Sequence, residues 1–309
     1  MSYKNKQILL GIFFSNVFAI VVMLITKQLL KPYAFAEGTF IYSEFVLLPI
    51  FMGIICAFFW RNLNFRGWTL IGYACVEILT AIVLSSVVMR EGIICLIIVS
   101  PLILVFVYVG LVIGRLMFKN NNQQLNVSFM FILLILFIAD TRSKHQYQNE
   151  VSDTIKINAP ANEVWKHVVA FKKIEQKNNY WLFQIGLPSP METTVDGYYK
   201  GAGRKCIFSN GYTFGEKIST FEPGKDLVFD IVNQPRDPEI MNHIDLLKGE
   251  FLLKDNGDGT TTLTGNSWYK LYVFPTWYYD IWAQSIVRNV HIRVMEHIKA
   301  ISEEKPSEP

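Results

Sequence analysis

The stretch Ile155-Lys156-Ile157-Asn158-Ala159-Pro160-Ala161-Asn162-Glu163-Val164-Trp165 decides the fold of the C-terminal half. Its first residues continue a period-two pattern in which Val151, Asp153, Ile155 and Ile157 share one side of a strand. Asn158-Ala159-Pro160 then opens a helix. Asn158 is suited to cap it, and Pro160 fits the first turn, where a missing N–H leaves no bond unmade. Val164, Trp165, Val168 and Val169 supply the apolar stripe of that helix.

Downstream lies a longer irregular segment, Lys172–Thr194, with Trp181-Leu182-Phe183 and the punctuation Pro188-Ser189-Pro190. Short alternating runs follow at Gly203–Ser209, Tyr212–Phe221, Lys225–Val232, Ile244–Lys254 and Thr260–Val273. Asn210-Gly211, Pro223-Gly224 and Asn256-Gly257-Asp258-Gly259 are turn signals between them. Such an order of strands predicts an antiparallel meander. A long helix from Pro275 to Ser302 closes the chain, with Tyr279, Ala283, Ile286, Val290, Val294, Ile298 and Ile301 at helical spacing. Asp280 lies near its positive end and Lys299 near its negative end.

Upstream the character changes. The 309 residues are 51% hydrophobic and only 18% charged, against about 25% charged in an average soluble chain. The deficit sits before Asn149, where the acids are Glu37, Glu44, Glu77, Glu91 and Asp140. Five apolar runs stand there: Gln7–Thr26, Phe40–Trp60, Trp68–Met89, Gly92–Phe118 and the shorter Leu125–Ala139. A bilayer core needs about 20 apolar residues per helix, so about five membrane spans are expected, or four if the last run is only partly inserted. The expected division is a multi-pass domain over 1–145, an α+β domain over 150–304 and a tail over 305–309. With the N-terminus inside, Lys4, Lys6, Arg61, Arg66, Arg115 and Lys119 outnumber Lys27, Lys31, Arg90, Arg142 and Lys144 by one on the inner side. The excess leans toward a cell-membrane protein whose C-terminal domain lies outside the cytoplasm. The net charge of +3 is a mildly basic first half plus a mildly acidic second half, and neither has the character of a nucleic-acid phosphate-backbone binder.

The quoted stretch resembles the opening of the START-like group, also called SRPBCC or the polyketide cyclase/dehydrase and Bet v 1-like superfamily. Lys217–Phe229 resembles its paired central strands and Gly259–Tyr269 its last strand. The resemblance covers Glu150–Glu304. It implies a helix-grip fold, a curved antiparallel sheet around the long C-terminal helix, with an apolar cavity for a lipid, sterol, polyketide or aromatic compound. The alternating faces agree that apolar surface must be enclosed: Cys206 and Phe208, then Leu227, Phe229 and Ile231, then Leu247 and Phe251.

Candidate ligand contacts are Cys206, Phe208, Glu216, Phe229, His243, Tyr269 and Trp282. Glu216 shares a face with Tyr212, Phe214 and Ile218, where a carboxylate orients a ligand or acts as a base with a raised pKa; the alternative is a solvent-facing strand end. His243 follows the loop Arg236-Asp237-Pro238. Tyr269 shares a face with Leu263, Gly265 and Ser267, so its hydroxyl either reaches the cleft or makes a structural hydrogen bond. Trp277, Tyr278 and Trp282 start the last helix as an aromatic mouth, an interfacial belt or core. His291 and His297 are six residues apart and do not form a helical metal pair. Glu77, within the third run, and Glu44, at the start of the second, are intramembrane carboxyls, either functional or hydrogen-bonded to Ser43, Tyr73 or a neighbouring helix. No Ser-His-Asp order, phosphate loop, dinucleotide fingerprint or metal cluster is readable, so no cofactor and no metal is expected. The expected partners are the bilayer and a hydrophobic small molecule or lipid. An enzyme of the cyclase, dehydrase or hydrolase type using Glu216, His243 or Tyr269 stays open, as does a solidly packed interaction module.

Overall fold

The computed structural model describes residues 2–30, 43–90, 92–120, 131–132, 134–136, 138–140, 147–177, 179–235 and 243–304. The chain divides into two compact units, Met1–His145 with Tyr272–Phe274, and Gln146–Leu271 with Pro275–Pro309.

The first unit is helical: α1 (Tyr3–Leu30), α2 (Leu48–Trp60), α3 (Gly67–Leu84) and α4 (Ile93–Asn120). Among the described residues four helices, over Tyr3–Ile25, Ser43–Trp60, Gly67–Val88 and Ile93–Lys119, are long and apolar enough to cross a membrane. The fifth expected run, Leu125–Ala139, lies partly outside the described residues, and its described residues from 131 onward are helical. Small residues bring α2 and α4 into backbone contact. A Cβ on Gly53 would lie 2.1 Å from Val107 O, and one on Gly110 would lie 2.1 Å from Ile50 O. Spacings of four, Gly53 to Ala57 and Gly110 to Gly114, put these residues on single helix faces, a pattern that lets apolar helices approach closely. Glu77 is fully buried on α3. Its Oε1 accepts from Ser15 Oγ at 2.6 Å and Asn16 Nδ2 at 3.1 Å, and its Oε2 from Cys56 Sγ at 3.4 Å. The partners are therefore on neighbouring helices rather than Ser43 or Tyr73. Glu44 is exposed in a π-helical turn, Ser43–Leu47.

The second unit is one seven-stranded antiparallel sheet with a long helix. Its strands are β1 (Tyr147–Ile157), β2 (Pro190–Val195), β3 (Gly203–Phe208), β4 (Thr213–Glu222), β5 (Asp226–Asn233), β6 (Ile244–Asp255) and β7 (Thr261–Leu271). The order β1-β7-β6-β5-β4-β3-β2 makes β2 to β7 a meander, with β1 added on the far side of β7. Two short helices, α5 (Ala161–Val168) and α6 (Trp181–Gln184), join β1 to β2, and α7 (Thr276–Glu303) ends the unit. Register shifts at Pro190/Glu192, Gly215/Glu216, Ile218/Thr220 and Leu246/Lys248 mark bulges. Bulges bend strands and raise their twist, which curves the sheet. The expected helix-grip arrangement is the one observed.

Three local expectations change. β2 lies inside the segment expected to be irregular. β1 begins four residues before Val151. Pro160, not Asn158, occupies the N-cap of α5, and the Asn158 amide instead donates to Glu303 Oε1 at 2.6 Å. That bond ties the end of β1 to the end of α7. Around it Ile157, Val164, Val168, Ile218, Leu227, Leu253, Leu263, Met295 and Ile298 form the apolar core.

Candidate functional site

That core fills the space under the C-terminal half of α7. Under its middle turns, from Ala283 to Val294, two adjoining chambers lie between helix and sheet. The first holds about 90 Å³, and its walls include Arg204, Cys206, Glu216, Phe229, Ser267 and His291. The second holds about 120 Å³, and Leu187, Ala283, Ile286 and Val287 belong to its almost wholly apolar wall. Phe208, Phe214, Leu246, Ser267 and Val290 line both. Each is on the scale of the roughly 150 Å³ apolar cavity that takes one benzene. Close packing elsewhere leaves this space open. Phe229 packs against β6, where a Cβ on Gly249 would come within 2.4 Å of its ring.

Ile286 and Val290 sit at helical spacing and are half-buried along the chambers. Val287 and His291, one position round the helix, also line the chambers and are buried.

Glu216 faces inward, not to solvent. It forms a buried ion pair with Arg204, its cross-strand partner on β3. Arg204 Nε also donates to Val169 O at 3.0 Å, and the guanidinium lies 4.2 Å from the centre of the Phe229 ring. Burial raises the Glu216 carboxyl above its ordinary range, and the Arg204 charge opposes that rise. Burial, and then the Glu216 charge, push the Cys206 thiol up to about 12. Cys206 is thus a neutral wall group rather than a thiolate nucleophile.

A second polar group was not legible as a unit. Ser267 Oγ lies 2.7 Å from His291 Nε2, His291 Nδ1 lies 3.0 Å from Asp153 Oδ2, and Arg288 Nε donates to Asp153 Oδ1 at 2.9 Å. The three residues come from β7, α7 and β1. A Ser-His-Asp chain absent from the linear order is therefore assembled by the fold. Burial lowers the His291 imidazole below its ordinary value, against the pull of the Asp153 carboxylate, so the ring is neutral at pH 7.

Of the other candidates, Cys206, Phe208 and Phe229 line the first chamber with Glu216. Tyr269 does not: it is fully buried and donates to Asp280 Oδ1 at 2.5 Å. Asn149 Nδ2 and Gln284 Nε2 donate to the same carboxylate, at 3.0 and 2.7 Å. Burial and this bond raise the Tyr269 phenol. Trp282 packs edge-on against Trp181, ring centres 6.3 Å apart, outside both walls. His243 is also outside them, and burial lowers it to about 4; the loop 236–242 before it lies outside the described residues. His297 contacts Gln176 Oε1 and Lys172 O. Among the described residues no cluster of three or more His, Cys, Asp or Glu side chains is arranged to hold a metal ion.

No protein-family model and no curated protein matches the sequence. Solved structures do match about half of it. An uncharacterized protein from Bacillus thuringiensis is 13% identical over 50% of this chain and 100% of its own, with a TM-score of 0.35. A norcoclaurine synthase from Thalictrum flavum is 10% identical over 52% and 97%, with a TM-score of 0.35. The Zhui aromatase/cyclase from Streptomyces sp. R1128 is 12% identical over 51% and 94%, also at 0.35. At TM-scores this low the likeness carries no functional weight, and function rests on the chambers themselves.

Proposed function

We propose that the protein is a membrane-anchored binding protein for a small hydrophobic molecule or lipid, held between the sheet and α7. The observation that carries this is the pair of adjoining chambers under Ala283–Val294, apolar in most of their wall with a few inward polar groups. Pockets of that make-up take small apolar ligands, with the polar groups setting orientation. The four long apolar helices support the anchoring. The placement of the C-terminal unit outside the cytoplasm rests on the one-residue Lys/Arg excess and an inserted fifth run; a reporter active only in the cytoplasm, fused after Glu150, should stay silent.

The test uses the full chain in detergent, titrated with 1-anilinonaphthalene-8-sulfonate against empty micelles, with mass spectrometry of copurified lipid. Val290→Phe puts a ring into the space both chambers share and should abolish saturable probe binding while the chain stays folded. A parent protein that binds no probe and carries no lipid would sink the proposal in favour of a packed interaction module.

A further inference from the structure

The direction of the hydrogen bonds along Asp153, His291 and Ser267 says which ligand the second chamber reads. Both Asp153 carboxylate oxygens face nitrogens, Oδ1 the Arg288 donor and Oδ2 His291, so Oδ2 accepts and fixes the imidazole proton on Nδ1 at 3.0 Å. A neutral ring has one proton, which leaves Nε2 as an acceptor. Ser267 Oγ, 2.7 Å away, must then donate its only hydrogen to Nε2. The oxygen that Ser267 presents to the chambers carries lone pairs and no hydrogen. Arg288, on the other carboxylate oxygen at 2.9 Å, keeps Asp153 an acceptor.

Ser267 belongs to both walls, and in the second chamber its surroundings are Leu187, Phe214, Ile286 and Val287. Tyr212, the other side chain there with a hydroxyl, is exposed. A nucleophilic role for Ser267 fits poorly. The residue lies mid-strand, paired with Val151 on one side and Gly249 on the other, so the main chain around it is engaged in the sheet rather than arranged to hold an oxyanion.

Building on the ligand-binding reading above, we infer that the second chamber selects a compact apolar molecule carrying one hydrogen-bond donor, an alcohol or a phenol, whose hydroxyl hydrogen is accepted by Ser267 Oγ. A ketone or aldehyde of the same shape brings a second lone pair against that oxygen and leaves both acceptors unpaired out of water, which is costly.

Three probes of nearly one shape test this: indane, indan-1-ol and indan-1-one. Binding to the full chain in detergent is measured by equilibrium dialysis at pH 7.5, with empty micelles subtracted. Relative to indane, indanol should bind about tenfold more tightly than indanone, the size of one hydrogen bond gained against one left unmade. Ser267→Val covers Nε2 with a methyl and should bring the ratio near one. His291→Phe frees the Ser267 hydrogen and should bring the ratio to one or reverse it. Indane affinity reports in each variant whether the chamber survived, so a variant that fails to fold is recognised and the other decides. Equal binding of indanol and indanone by a parent that binds indane overturns the inference and leaves the ligand reading standing. So does a preference that persists in both folded variants. If none of the three binds, the ligand reading falls and takes the inference with it.

Discussion

Arg204→Met should be among the most damaging single changes in the C-terminal unit. It removes the counter-ion of Glu216 where the two side chains are only 3% and 5% exposed. It also takes a donor from Val169 O and the guanidinium from the face of Phe229. Breaking a buried pair by removing one partner costs about 3–5 kcal/mol, because the remaining charge is stranded. With a urea slope of about 2 kcal/mol per M for a domain of this size, the midpoint should fall by roughly 2 M. Five of the seven tryptophans, Trp165, Trp181, Trp268, Trp277 and Trp282, lie in this unit, so fluorescence of the full chain in detergent follows its unfolding. Arg204→Met with Glu216→Leu should recover most of the loss, since an apolar pair of similar volume leaves nothing stranded.

The pH dependence adds a sign. Burial already raises the Glu216 carboxyl, and without Arg204 nothing nearby opposes it. A carboxyl whose folded pKa exceeds its unfolded value contributes stability that is present below the unfolded value and lost as pH rises through the folded one. The single variant should therefore be weakest near pH 8 and recover part of its deficit toward pH 4.5. A midpoint shift under about 0.5 M, or a deficit that grows on acidification, would refute the buried-pair reasoning.

Tyr269→Phe should cost about 1.5–3 kcal/mol, the loss of a hydrogen bond to a carboxylate, and leave probe affinity unchanged, because the phenol serves Asp280 and not the chambers. In the Arg204→Met, Glu216→Leu background, the urea midpoint should fall between pH 7.5 and 5.5. Burial lowers His167, His291 and His297, so the unfolded chain takes up more protons in that window than the folded one; a flat or rising midpoint would contradict this. A fragment starting at Gln146 should fold alone and be more stable than one starting at Glu150, by thermal melting, because Asn149 anchors Asp280 of α7; equal stability would remove β1's first residues from the fold.

What was legible followed from local physics. The turns at Asn210-Gly211, Pro223-Gly224 and Asn256–Gly259 announce themselves because Gly211, Gly224, Gly257 and Gly259 adopt positive φ, which a side chain resists. Strand β2 is hidden because it is short, begins on Pro190 and has a strand neighbour on one side, β3, with a single bridge from Thr193 to Phe171 on the other. Glu216 was visible as a carboxylate on an apolar face. Arg204 was not paired with it, since the register of β3 against β4 decides which side chains face each other.

The Ser-His-Asp chain shows the same limit more sharply. Strand alternation places Asp153 with Val151, Ile155 and Ile157, and Ser267 with Leu263, Gly265 and Tyr269, on faces that point inward in the fold. A polar residue on each inward face was the available signal. Along the helix itself His291 has only His297 for comparison, at a spacing that excludes a shared metal. Its partners are 24 and 138 residues away, on β7 and β1. Those strands are neighbours, with Asp153 opposite Gly265, two residues from Ser267. The missing hydrogen-bearing Cβ at Gly265 matters here: one added there would lie 3.7 Å from His291 Cγ and 3.2 Å from Met295 Sδ. The tight contact would be with the Met295 sulfur, while the imidazole lies at ordinary van der Waals distance from that position. Three unremarkable residues become one directed chain because α7 packs across β1 and β7, and that adjacency is a property of the sheet order rather than of any local pattern.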